Sequence, residues 1–376
     1  MDTKLREQGP QFKSFDYEQV KYWVAFRRIA GVGHVRMGQI YAHFGDIGLA
    51  WRATAAELAA AGLASRMIDR IVEKRPGINP DLELQAILEA GFDVIVRHDS
   101  RYPVRLKEVG NPPSVLFVRG SLKPEDELSV AVVGTRKMTS YGRHATNKIV
   151  RDLASAGVKV VSGLARGVDT HAHRAALEGG TRTIAVMGSG PDIIYPPENR
   201  GLAERIVENG ALVTDFPVGT QPEAGNFPAR NEIIAGITLG TLVIEADRRS
   251  GALITAKSAL HMDRDVFAVP GDISSPGSAG CNWLIQQQGA KLVTSAQDIM
   301  DELNIERTRR QTDIRRALPL SEEANRILEA LSDAPVHIDD LCRTLDVPVA
   351  ELSSQLMMLR LDGLVEDMGG MVYEKI

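Results

Sequence analysis

Residues 159–173 read KVVSGLARGVDTHAH. Lys159-Val160-Val161 opens the stretch with the β-branched pattern of a strand, which gives way at Ser162-Gly163 to a loop. That loop carries Arg166, Gly167 and Asp169, and a helical pattern starts at Thr170. A strand that runs through a glycine-bearing turn into a helix is one βα unit. Units of this kind point helix amides at anions, so this is where an α/β fold would hold a phosphate. The phosphate belongs to a nucleotide cofactor, to a substrate, or to the backbone of a nucleic acid.

Further β-branched runs repeat the unit: VAVVG at 130–134, TIAVMG at 183–188, LVTDF at 212–216, TLVIEA at 241–246 and DVFAVPG at 265–271. Helical stretches lie between them, and several end in glycine, as a helix C-terminus favours. Apolar strands alternating with helices imply a parallel sheet covered on both faces. The expected fold over roughly 83–303 is therefore a doubly wound, Rossmann-like α/β domain. Two flanks differ. Residues 17–78 show apolar positions at helical spacing broken by short glycine turns, the pattern of four or five helices. Residues 320–376 read helix, helix, helix, hairpin, beginning with a near capping box at Ser321, which suggests a winged helix-turn-helix. The charged, apolar-poor segment 304–319 between them reads as a linker and holds Arg307, Arg309, Arg310, Arg315 and Arg316.

The totals narrow the classes. With 44% hydrophobic and 25% charged residues, the chain has the balance of a soluble globular protein. No apolar run approaches the roughly 20 residues that span a bilayer. The polar N-terminus lacks a signal core, and Cys281 and Cys342 lie too far apart to suggest a zinc site or disulfide framework, so a reducing cytoplasm is expected. A formal net charge of −5 means that nucleic acid would have to meet a local basic patch.

Ligands of open α/β sheets sit beyond the C-terminal strand ends. That rule gathers Gly134, Arg136 and Lys137 after one strand, and Ser162, Gly163, Arg166, Gly167 and Asp169 after another. It adds Ser189-Gly190, then Arg230 and Asn231, then Arg248 and Arg249, with Lys257 beyond. Glycine lets amides approach an anion, and the cations supply full charge. The expectation is a row of phosphate subsites, which suits a polymer better than a mononucleotide. Asp169 serves either that site or as a helix N-cap. His171 and His173, two apart, point to different helix faces, so no metal site is expected. No cofactor is expected either: VVGTRKMTSYG is not G-x-G-x-x-G, MGSGPDII is a weak match, and no P-loop is present. With only 5% aromatic residues, backbone contacts should dominate over stacking, for which Tyr141, Tyr195, Phe227 and Trp283 are the candidates.

The middle region resembles the DNA-processing protein A family (DprA, also called Smf). The resemblance runs through YPVRLKEVGNPPSVLFVRG (102–120), VAVVGTRKMTSYG (130–142), VVSGLARGVDTHAH (160–173), TIAVMGSGPDIIYPPEN (183–199), FPARNEIIAGIT (227–238) and VIEADRRSGALITAKSAL (243–260). It implies a protein without catalytic cofactor that binds single-stranded DNA and helps load RecA recombinase onto incoming strands during natural transformation. It also implies a homodimer through the Rossmann domain. Some members carry an N-terminal sterile-alpha-motif-like or helix-hairpin-helix-like domain and a C-terminal winged helix, which the two flanks resemble. The family's basic G-[ST]-R and S-G-L-A-x-G-[IV]-D loops match Arg136 and Arg166, and its F-P-x-R-N segment matches Phe227, Pro228, Arg230 and Asn231. One departure is Glu232, where the family commonly has a base; it either weakens DNA binding or pairs with Arg230.

GVGHVRMG (31–38) reads either as a phosphate-contacting hairpin or as a packing turn. The second winged-helix helix has Arg360 against Glu351 and Asp362, with Asp339, Asp340 and Asp346 next to it, a face that repels phosphate. That domain is therefore expected to contact protein or its own chain, and deleting 320–376 should leave single-strand affinity nearly unchanged. A competing enzyme reading rests on similarity to nucleotide phosphoribohydrolases, whose P-G-G-x-G-T-x-x-E motif supplies a catalytic Glu. Here Gly240-Thr241 and Glu245 are present and the Pro-Gly-Gly is absent.

Overall fold

The computed structural model describes residues 17–305, 322–331, 335–361 and 364–375. Among the described residues six α-helices come first: α1 (Tyr17–Arg27), α2 (His34–Phe44), α3 (Ile47–Arg52), α4 (Ala55–Ala60), α5 (Ser65–Lys74) and α6 (Pro80–Glu89). Short polar side chains set three of their starts by accepting the amide hydrogens a helix leaves unpaired. Asp46 caps α3, Thr54 and Glu57 form a reciprocal box on α4, and Asn79 caps α6 ahead of Pro80. Five of these helices fill the span expected to be helical. The sixth lies past that boundary and packs on α1.

The α/β body follows as β1 (Asp93–Val96), α7 (Val104–Lys107), β2 (Val115–Gly120), β3 (Ser129–Val133), α8 (Ser140–Ser155), β4 (Lys159–Ser162), α9 (Val168–Glu178), β5 (Thr183–Val186), α10 (Arg200–Glu208), β6 (Gly210–Thr214), α11 (Asn226–Ile237), β7 (Gly240–Val243), α12 (Ala252–His261), β8 (Asp265–Ala268), α13 (Ala279–Gln286), β9 (Lys291–Leu292) and α14 (Ala296–Glu302). The sheet order is β1-β2-β6-β5-β4-β3-β7-β8-β9. From β6 to β9 all pairings are parallel, and every β-branched run singled out in the sequence holds one of these strands. The order reverses between β3 and β7, the switch point of a doubly wound sheet. β2 adds to β6 antiparallel and β1 to β2 antiparallel, so the sheet is mixed at that edge. Strand–helix alternation does not mark this pair, because the helix between them, α7, is four residues long.

The edge strands bind the first region to the second. Val94, Val96, Val115 and Phe117 alternate onto one face and share a core with Trp23, Phe26, Met37 and Ile40 of the helices. Ile95, Leu116 and Val118 face the opposite core with α11 and α12. The helical region thus shares its hydrophobic core with the sheet, and the described residues up to Leu303 form one compact unit.

The second unit begins at Asn304. Its described elements are α15 (Glu322–Ala330), β10 (Val336–His337), α16 (Ile338–Leu345), α17 (Val349–Leu361), β11 (Val365–Gly369) and β12 (Val372–Lys375). The strands form a sheet ordered β10-β12-β11 around a separate core that includes Ile327, Leu341, Leu352, Leu356 and Val365. This is the expected winged helix-turn-helix order. Ser321 and the linker arginines Arg307, Arg309, Arg310, Arg315 and Arg316 lie outside the described residues.

Candidate nucleic-acid interface

The loops after β3, β4, β5 and β6 meet the start of α11 around one pocket. Its lining includes Arg136, Gly163, Arg166, Ser189, Tyr195, Phe227 and Arg230. Arg136 and Arg166 are exposed, as a phosphate contact requires. The Arg136 guanidinium lies over the Phe227 ring at 4.8 Å from its centroid, and the Tyr195 ring centre is 6.5 Å from that of Phe227. A cation held over an aromatic face gains about 0.5–1 kcal/mol at a partly exposed site, enough to bias its position without fixing it. Two of the four candidate stacking residues therefore line the pocket. The other two do not: Tyr141 donates its hydroxyl to the Pro270 carbonyl at 2.6 Å, and Trp283 lies under Arg248 at 5.6 Å.

Arg230 departs from its expected role as an open charge on the rim. It is 4% exposed, inside the ends of β4 and β5. One Nη1 donates to the carbonyls of Gly163 and, at 2.6 Å, Val186, and Nε donates to Asn231 Oδ1 at 3.0 Å. Burial pushes its pKa down to about 10, with the Asp169 charge opposing. Asn231 is likewise buried, and its Nδ2 reaches the Gly251 carbonyl at 3.4 Å. Ser162 is fully buried and donates to the Val132 carbonyl at 2.6 Å, so it binds strand to strand and not strand to phosphate.

Asp169 is the second residue of α9, with Gly167 at the N-cap position. Its carboxylate accepts the Gly163 amide at 3.1 Å and the Ala165 amide at 3.3 Å, which folds the loop ahead of the helix back on itself. Burial raises its pKa, while Arg230 and the two amides pull the other way. His173 is fully buried with Nδ1 2.7 Å from Thr183 Oγ1, and burial pushes its pKa down to about 3.

The glycines serve close packing of these loops against each other. A β-carbon at Gly134 would strike Val168, one at Gly163 would strike Arg230 and Asp169, and one at Gly167 would strike the backbone of Thr135 and Arg136. Gly167 also has φ +75°, which side chains rarely tolerate. Gly167→Ala is therefore expected to cost at least roughly 1–3 kcal/mol of stability, read as a lowered Tm, and to weaken oligonucleotide binding with it.

The remaining expected contacts lie elsewhere. Lys137 is exposed at the tip of the β3 loop, Arg248 is on the β7 loop, and Lys257 sits on the second turn of α12; none of the three lines the pocket. The basic row is thus concentrated at β3 and β4. Glu232 is exposed and makes no ion pair with Arg230, which points inward on the other side of α11.

Glu245 occupies the switch point. It is 2% exposed, accepts the Thr139 amide at 2.9 Å on Oε2, and accepts the Thr135 amide at 2.7 Å on its carbonyl. Gly142 and Gly277 press against its carboxylate. A dinucleotide fold seats its pyrophosphate at this first helix start; here the protein's own carboxylate takes the amide.

GVGHVRMG is a docking turn. His34 Nε2 lies 3.0 Å from Asp215 Oδ2, and its Nδ1 accepts the Ser114 amide at 3.2 Å. Arg27 Nη2 donates to the Asp215 carbonyl at 2.7 Å, and Arg28 to the Val218 carbonyl at 2.8 Å. These contacts hold the loop after β6.

The family described as DNA recombination-mediator protein A matches residues 93–304, more than half of the chain. The chain belongs to that family. The family of the DprA winged helix domain matches residues 312–371. Protein Smf of Synechocystis is 34% identical, over 94% of this chain and 98% of its own length. DNA processing protein DprA of Streptococcus pneumoniae is 46% identical over 54% of this chain and 72% of its own. The X-ray structure of that pneumococcal protein superposes with a TM-score of 0.67 at 35% identity, covering 75% of this chain and 97% of the other. DNA processing protein A of Helicobacter pylori, a structure reported for its single-stranded DNA binding mode, gives 0.52 at 28% identity, over 57% and 96%.

The sequence did not mark Glu198 as part of the site. Its carboxylate pairs with Arg166 Nε, and both side chains are about half exposed. The partners are separated by 32 residues in sequence, so no local pattern joins them.

Proposed function

We propose that this chain binds single-stranded DNA in the strand-end pocket, protects incoming strands in natural transformation, and helps load RecA recombinase onto them. The arrangement that carries the reading is the pairing of two exposed arginines, Arg136 and Arg166, with the Phe227 and Tyr195 rings in one recess. Phosphates meet the arginines, and an unstacked base meets the exposed Tyr195 ring, the Phe227 ring being covered by Arg136. Duplex bases present no free face, so single strands are preferred. The test is a titration with a labelled oligothymidylate and with a duplex of equal length. Tighter binding of the single strand is expected, and equal binding of both forms would overturn the reading.

The Arg166–Glu198 pair adds a detail. Glu198 stands where a phosphate would bond Arg166, and an incoming strand must displace it. Glu198→Gln is expected to tighten oligonucleotide binding about two- to fivefold, the range of an exposed ion pair. In an Arg166→Ala background the same change should have no effect, which affinity measurements on the four proteins will read.

In this reading the protein is not an enzyme and works in the cytoplasm. A general acid needs an open path to its substrate, whereas Glu245 is enclosed by the Thr139 turn and two glycines. Release of free base from a nucleoside monophosphate, lost in Glu245→Gln, would replace mediation by phosphoribohydrolase chemistry. A homodimer through the Rossmann domain completes the proposal. Ile254 and Leu260, exposed on α12, and Leu292 on β9 offer it apolar surface. Among the described residues no helix is long and apolar enough to cross a membrane.

A further inference from the structure

The winged helix unit exposes methionine where a DNA reader needs cations. Leu352, Leu356 and Leu359 of α17 are buried in the unit's core. At 100° per residue the opposite side of the helix carries Ala350, Ser354, Met357 and Met358. Met357 is 64% and Met358 60% exposed. The hairpin of β11 and β12 repeats the chemistry at its tip, with Met368 at 53% and Met371 at 61%. Every exposed methionine among the described residues lies in these two elements. They are the recognition helix and the wing, the parts a winged helix normally lays against a partner.

Acidic groups outnumber bases on these two elements, with Lys375 exposed at the end of β12 away from the wing tip. On α17 the only base is Arg360, and Asp367 holds it at 3.2 Å. Glu351 and Glu366 stand exposed on the same two elements, with Asp346 before α17. Methionine is unbranched and polarizable, and a surface of exposed methionines can repack around varied apolar side chains. Acidic groups beside it favour a segment whose apolar residues are flanked by lysine or arginine.

We propose that the α17–wing face is a protein-docking surface that takes a basic amphipathic helix of a partner protein, through Met357, Met358, Met368 and Met371. The proposal stands without the single-strand reading.

The test uses the full-length chain and two fluorescent helical peptides. One has leucines along one face and lysines elsewhere; in the other glutamate replaces lysine. Two variants are compared with the parent, Met357→Gln/Met358→Gln on the helix and Met368→Gln/Met371→Gln on the wing. Glutamine keeps an unbranched chain of similar length at exposed positions, and an unchanged melting curve checks the fold. The leucine–lysine peptide is expected to bind the parent and to bind each variant roughly tenfold or more weakly, as lost apolar burial implies. The glutamate peptide should not bind. Binding of the lysine peptide that neither variant weakens would overturn the proposal. So would a fall in oligonucleotide affinity in either variant, which would make the face a nucleic-acid surface.

Discussion

Replacing Arg136 and Arg166 together with alanine is expected to weaken binding of a labelled single-stranded oligonucleotide by on the order of 100-fold at low salt. Each arginine stands exposed at the pocket mouth, and each can donate charge-assisted bonds to a separate phosphate. For single strands the salt slope is roughly 0.7 per neutralised phosphate, so the double variant should flatten the plot of log K against log salt by about 1.4. Arg136→Ala alone should cost more than its charge, because the guanidinium also covers the Phe227 ring. Fluorescence anisotropy across a salt series reads both quantities. An unchanged slope would remove DNA phosphates from this rim and make a small nucleotide the next ligand to test there.

Arg230→Met should act on the fold before it acts on DNA. The change removes two bonds to strand-end carbonyls and leaves the Asp169 carboxylate buried with two amides and no cation. Breaking one side of a buried charge pair costs roughly 3–5 kcal/mol, a large part of the stability of any domain. The pH dependence of that loss follows from Asp169. Its folded-state pKa is already raised by burial, and removing Arg230 raises it further. A carboxyl with a raised folded pKa binds more protons folded than unfolded, so stability falls as pH rises through that window. Arg230 also depresses the pKa of His173, and its removal eases protonation there, with the same sign. The deficit of Arg230→Met against the parent should therefore shrink between pH 7 and pH 5, as urea unfolding at the two values would register. A deficit that grows on acidification would mean that Asp169 is held by something other than Arg230.

Why the sequence spoke clearly about some of these residues and not others is a matter of range. Strands β3 to β8 were legible because a β-branched run followed by helical spacing is a local signal. Arg166 was legible as a loop cation for the same reason. Arg230 also follows an alanine in a polar-looking stretch, Phe-Pro-Ala-Arg-Asn against Gly-Leu-Ala-Arg-Gly, yet is buried because α11 packs against β4 and β5. One cue was present. Residues 233–237 of α11, Ile-Ile-Ala-Gly-Ile, are apolar without a polar face, the mark of a helix enclosed on all sides. Arg230 and Asn231, just ahead of that run, turn into the fold, while Glu232 on the other side of the helix stays exposed. Asp169 was undecidable between cap and ligand because its partners are the amides of Gly163 and Ala165, set by a loop whose path no period describes. Glu198 and the Asp215 contacts join residues far apart in the chain and leave no trace in spacing.

The clasp of Arg27, Arg28 and His34 on Asp215 and Val218 has a bearing on inheritance. That loop leads to Pro222, part of the pocket wall. The first helices and the loops of the pocket are therefore not free to drift separately: a substitution at Asp215 in one lineage is expected to need a compensating change at position 27 or 34. Chimeras that exchange the N-terminal helices between relatives should accordingly lose function at this seam first, even where both parents bind the same strand.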